Sequence, residues 1–151
     1  MSLATVPLVV GTAIALAVIL FARVTGFDRS TAFYPTVLIV TASYYVLFAV
    51  IYGSGAELVP ETVVMAVFIA LAVIGFRISL WVVVAGFVAH GVFDLSRHLL
   101  LVGRGVPSAW PAFCLAFDVV AAAGVALILV IGARAAAKKA SAEAEGFHFG
   151  A

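Results

Sequence analysis

Apolar residues run along this chain in blocks of about 20, separated by short clusters of glycine, proline and charge. A helix that crosses a bilayer needs about 20 mainly apolar residues, so each block of that length predicts one span. The first runs from about Ala4 to Ala22 and closes on Arg23 and the turn-forming Thr25-Gly26-Phe27-Asp28-Arg29-Ser30. The second runs from about Tyr34 to Tyr52, with Pro35 tolerated in a first helical turn. Gly53, Ser54 and Gly55 end it.

The next apolar tract starts at Pro60 and continues almost to Leu101. As one helix its roughly 40 residues would measure about 60 Å, twice the hydrocarbon thickness, so it must fold back. Gly75-Phe76-Arg77 is the expected break, with Ser79 as N-cap and Trp81 as interfacial anchor. That predicts a short third helix from about Pro60 to Ile74 and a fourth from about Ser79 to Val102. Gly103-Arg104-Gly105-Val106-Pro107-Ser108 reads as a loop, and a fifth helix runs from about Trp110 to Ile131. The expected fold is therefore an all-α, polytopic bundle of five transmembrane helices over residues 1–134. Residues 135–151 are expected to form a polar, disordered cytoplasmic tail, with Phe147-His148-Phe149 as a short contact motif.

Composition agrees with the pattern. The 151 residues are 66% hydrophobic and only 10% charged, against about 25% charged in a soluble domain. The net charge of +1, with no massed basic residues, predicts no nucleic-acid partner. Cys114 is the single cysteine, which excludes an internal disulfide and any multi-cysteine metal site. MSLATVPLVV has no basic n-region, so the first block is expected to stay as a span. With five spans, Arg23, Arg29, Arg77, Arg134, Lys138 and Lys139 fall on one side, and only Arg97 and Arg104 on the other. The positive-inside rule makes the first side cytoplasmic, with the N-terminus outside.

Against this background the stretch from Ala89 to Val120 is costly, because it places His90, Asp94, Arg97, His98 and Asp118 in spanning segments. Charged groups at such depth cost a few kcal/mol on insertion scales and usually face a bundle interior. His90, Asp94, Arg97 and His98 share one face of the fourth helix, about 100° wide, flanked by the small Gly86 and Ala89. Asp94 and Asp118 each lie about 12 Å from the outer end of their helix, so antiparallel neighbours would bring them together. The same arithmetic puts Ser43, Tyr44 and Tyr45 at that depth, Glu61 near the mouth and Glu57 above it. Cys114, one turn from Asp118, reads as a small core residue. Trp81 and Trp110 read as interfacial belt.

Histidine and carboxylate ligands suit zinc or iron, and a catalytic zinc keeps three protein ligands plus water. His90, Asp94, His98 and Asp118 are the expected metal ligands. His90 and His98 stand about 12 Å apart along the axis, so the sharper set is one i, i+4 pair, His90–Asp94 or Asp94–His98, with Asp118. The remaining histidine would handle protons, and Arg97 or Tyr44 would bind a head group or oxyanion. The plainer alternative has Arg97 neutralising Asp94 or Asp118 while the histidines hydrogen-bond across helices, each bond worth roughly 0.6 kcal/mol.

The strings FYPTVLIVTASYYVLFAV, HGVFDLSRH and WPAFCLAFDV resemble an uncharacterised family of small bacterial integral membrane proteins, over about Phe27 to Val120. That resemblance implies a multi-pass protein of the bacterial inner membrane and brings no activity with it. A fainter likeness is to the membrane hydrolases that include alkaline ceramidases, which combine His, Asp and Ser on several spanning helices near one face. Those look like seven-span proteins with a paired-histidine motif in the last helix, whereas His90 and His98 here share the fourth with Asp94. The leading expectation is a metal-dependent membrane enzyme, hydrolase-like, acting on a lipid or other apolar substrate in the outer half of the bilayer. The alternatives are a proton- or cation-linked transporter or channel subunit, and a non-catalytic assembly protein. Expected partners are membrane lipids, with a homo-oligomer or another membrane subunit for the latter two.

Overall fold

A computed structural model describes residues 5–52, 55–100 and 105–148, with side chains described for all of these except 98–100 and 145–148. Five long helices follow one another: α1 (Thr5–Thr25), α2 (Phe33–Tyr52), α3 (Gly55–Arg77), α4 (Leu80–Leu100) and α5 (Trp110–His148). All five are long and apolar enough to cross a membrane. A short 3-10 turn, Phe27–Arg29, joins α1 to α2, entered through Gly26 in the left-handed conformation (φ 78°). An Arg23–Asp28 ion pair of 2.7 Å ties that turn back to the end of α1.

The distribution of side chains is inverted relative to a water-soluble protein. Val24, Ile78, Val59 and Leu20 are among the many large apolar residues on the outside. Glu61, His90, Asp94, Arg97 and Asp118 are buried, none more than 7% exposed. Several serine and threonine hydroxyls on the spans bond within their own helix: Thr41 Oγ1 donates to the Leu38 carbonyl at 2.9 Å, and Ser96 Oγ to that of Val92 at 2.9 Å. Such back-bonding lets a hydroxyl sit in an apolar setting without a partner helix.

Two boundaries differ from the sequence expectation. The third helix is not short. It begins at Gly55 and runs to Arg77, with Pro60 inside it. Because Pro60 lies near the start, its missing N–H forgoes only the bond to the Ala56 carbonyl, and Glu57 in the first turn suits the positive helix end. The break falls at Ile78-Ser79, where the Ser79 carbonyl accepts from the Val82 N–H at 2.9 Å and its Oγ from the Trp81 N–H at 3.3 Å. Gly75, expected to break the tract, instead lets the hairpin close: a Cβ there would stand 2.4 Å from Val83 Cγ2.

The fifth helix continues through the stretch expected to be disordered, as far as His148. Its 39 residues span about 58 Å, so nearly half of that length exceeds a hydrocarbon core of about 30 Å. Alanines with high helix propensity, and a Lys139–Glu143 pair at i, i+4 (3.8 Å), favour that continuation. Phe149, Gly103 and Arg104 lie outside the described residues, as do the side chains of Phe147 and His148.

In the bundle α5 packs between α1 and α4, α4 against α3, and α3 against α2, with α2 also touching α4. Small residues set the separations. Gly91 lies against Leu115 of α5, Gly86 against Leu38 of α2, and Gly11 against the backbone of α5. Ala89, expected to share that task, faces outward. A Cβ on Gly11 would fall 2.2 Å from the Phe113 carbonyl oxygen, with no flexible side chain to yield. Gly11→Ala is therefore expected to destabilise the bundle by about 1–3 kcal/mol through overpacking, seen as a lower melting temperature in detergent. Gly132→Ala, at a position with open space around it, should melt at or above the parent temperature. Equal melting of the two variants would contradict the packing of α1 on α5.

Candidate metal centre

The site lies where α4 crosses α2, α3 and α5. In α4, His90, Asp94 and Arg97 fall on one face at helical spacing, and that face is turned inward, 0–7% exposed. Asp118 comes from α5, 0% exposed, after the chain reverses at the α4–α5 connection. Its Oδ2 lies 2.6 Å from His90 Nδ1, while Asp94 Oδ2 is 3.5 Å from that nitrogen. One ligand atom from each of His90, Asp94 and Asp118 can be chosen so that all lie within 4.8 Å of one another. The antiparallel neighbours thus bring both carboxylates to one histidine, as the depth arithmetic anticipates. This is the sharper set built on the His90–Asp94 pair. His98 lies in α4 one turn beyond Asp94, but its side chain falls outside the described residues.

The tyrosine at the site is Tyr45. Its hydroxyl donates to Asp94 Oδ1, and its ring packs edge-on to Phe93 at 5.6 Å. Tyr44, the expected site residue, turns away and packs against Trp110 with ring centroids 5.0 Å apart and the rings tilted at 57°. One helical step of 100° separates the two, and α2 is rotated so that Tyr45 faces the bundle. Ser43 donates to the Val40 carbonyl of its own helix at 2.7 Å and takes no part. His90 is boxed by aromatic rings, the nearest being Phe68, edge-on at 4.8 Å.

Arg97 does not neutralise either aspartate. Its guanidinium pairs with Glu61 of α3, and its Cζ lies 4.9 Å above the Tyr45 ring. Glu61 reaches it because α3 begins at Gly55, which sets residue 61 about 9 Å down from the helix end rather than at the mouth. Two charges taken from water tolerate such burial only as a pair.

Several buried atoms have no hydrogen-bond partner: His90 Nε2, Asp94 Oδ2, Asp118 Oδ1, Glu61 Oε2 and Arg97 Nε. Buried polar atoms are matched in the great majority of proteins, so this cluster leaves room for an ion or ordered water to supply the missing partners. Among the described residues, the site borders a cavity at the α4–α5 end. A pocket of about 470 Å³ there is lined by Asp94 and Arg97, with Ser108, Pro111 and Leu115 on its other walls. Towards the α3–α4 end the site is closed by Phe87 and Val83, both 0% exposed.

Removing Arg97 strands Glu61 as an unpaired buried charge. Arg97→Met should cost about 3–5 kcal/mol of stability, whereas Arg97→Met combined with Glu61→Leu should recover most of it. Thermal unfolding of the three proteins in one detergent measures this. A double variant no more stable than Arg97→Met would show that the pair is not the source of the loss.

A scan against protein-family models, a search of curated proteins and a search of solved structures each return no match for this chain.

Proposed function

We propose that the protein is a metal-dependent, hydrolase-type enzyme embedded in a bacterial inner membrane, acting on a lipid or other apolar substrate. The observation that carries this reading is the buried convergence of His90, Asp94 and Asp118, with ligand atoms within 4.8 Å, beside a pocket walled by Asp94 and Arg97. The donor set fits a divalent cation. One imidazole and two carboxylates suit zinc or iron, and three protein ligands leave a coordination position open. Asp94 Oδ2 and Asp118 Oδ1 are buried acceptors without a hydrogen-bond donor, and a cation would offset their burial.

Held by His90, Asp94 and Asp118, such an ion would supply Lewis-acid chemistry and activate water for attack. The chain's own groups do the rest. Tyr45 holds Asp94 by its Oδ1, leaving Oδ2 towards His90. Asp118 fixes the His90 ring through Nδ1. Arg97, held by Glu61 at the pocket wall, is placed to meet the polar part of a substrate or a developing oxyanion. His98, one turn further along α4, takes the proton-handling role. The positive-inside rule puts Arg23, Arg29, Arg77, Arg134, Lys138 and Lys139 in the cytoplasm, so this pocket opens in the outer half of the membrane.

The packing favours an enzyme over the two alternatives. A proton or cation pathway needs a chain of polar groups through the bundle; beneath His90 the buried residues include Phe87, Val83, Phe68 and Leu38, and the buried polar side chains there, among the described residues, are Thr41, bonded within its own helix, and Tyr34. A subunit-docking surface needs the polar face outward, and His90, Asp94 and Arg97 face inward.

Purified protein titrated with zinc, iron(II) or manganese is expected to bind a single ion tightly. Asp118→Asn and His90→Gln should abolish that binding, and Tyr45→Phe should weaken it about 10- to 100-fold by freeing Asp94. Cooperative melting of each variant checks that it is folded. Wild-type protein that melts cooperatively and yet binds none of the three ions would end the metal-dependent reading.

A further inference from the structure

A second cavity, on the other side of α5 from the polar pocket, has the opposite character. It holds about 370 Å³ and lies between α1, α2 and α5, where α1 and α2 do not close against each other. Ile14 and Val40 stand at its rim, Trp110 and Phe113 on one wall, and Cys114 at its inner end. Among the described residues, no charged side chain lines it. Ile14 and Val40 are 43% and 47% exposed on spanning helices, so the opening faces sideways into the hydrocarbon of the membrane.

We infer that this slot holds a single acyl chain, and that the substrate class is therefore an amphiphile carrying at least one hydrocarbon tail. The inference rests on the enzyme reading above and names the part of the substrate that reading leaves open. Three observations carry it. The mouth opens where hydrocarbon chains, not water, are the surrounding medium. The lining matches an uncharged, apolar occupant, in contrast with the Asp94 and Arg97 wall of the other pocket. The inner end is Cys114, fully buried and one helical turn from Asp118, within electrostatic reach of both aspartates. A chain that reaches Cys114 in the slot therefore lies one helical turn of α5 from Asp118.

Size agrees. An engineered apolar cavity of about 150 Å³ holds a benzene ring, so a slot of more than twice that volume takes an alkyl segment well beyond six carbons. Left empty, its lining would forgo dispersion contacts that a chain restores.

Trp110 reports on the slot directly. In a Trp81→Phe background it is the only tryptophan, since the chain has two. Titration of that protein in detergent with a fatty acid brominated at mid-chain should quench Trp110 saturably, reaching a plateau at one chain per protein. Ile14→Phe with Val40→Phe, which narrows the mouth from its exposed rim, should remove the saturable phase while melting at the parent temperature. Quenching that only rises linearly with quencher, or a saturable phase unchanged in the narrowed variant, would overturn the proposal. The readout is binding without metal or turnover, so it succeeds or fails separately from the metal titration.

Discussion

A carboxylate among hydrocarbon side chains persists only if another group answers its charge, and most of this bundle's architecture follows from that constraint. Asp94 and Asp118 are both turned towards His90, and Asp94 also accepts from Tyr45. Glu61 is matched by Arg97. These contacts join α2, α3, α4 and α5, so the polar cluster positions four of the five helices relative to one another. In a membrane, where apolar faces gain nothing by preferring protein to lipid, such directional contacts and close packing carry the specificity of assembly.

Close packing supplies the other half. Gly11, Gly75, Gly86 and Gly91 each stand where a neighbouring helix or side chain comes within contact distance of an absent Cβ. The approach of α4 to α5 at Gly91 is what lets Asp118 reach His90, with Asp118 Cβ itself only 3.7 Å from the position a Gly91 Cβ would take. Backbone proximity and polar pairing are therefore not independent features. Each depends on the other.

The same packing leaves two openings of unlike chemistry around the first turns of α5. One is walled by Asp94 and Arg97, the other by aromatic and aliphatic side chains with Cys114 at its inner end. On the function proposed above, the polar opening would take the head and the apolar slot the hydrocarbon tail of one molecule. α1 matters here chiefly as a wall: it supplies Leu8 to one opening and Ile14 to the other.

Hydropathy and spacing alone determine much of this. Five apolar blocks predict the five helices, and i, i+4 spacing with depth counting predicts that His90, Asp94 and Asp118 meet. Those inferences hold because helical rise and periodicity are local properties, independent of what packs outside the helix. Where a helix ends is weaker information. Pro60 reads as a start although one lost hydrogen bond is tolerated there, and that misplacement hid the Glu61–Arg97 pair. The polar tail reads as disorder although alanines and a Lys139–Glu143 pair sustain a helix to His148. Rotation of a helix about its axis is not local at all: adjacent Tyr44 and Tyr45 have equal claims in the sequence, and only the seating of α2 on α3 and α4 turns Tyr45 inward. The slot belongs to the same class, since it arises where α1 and α2 fail to pack, and an absence of contact leaves no mark on the pattern of residues.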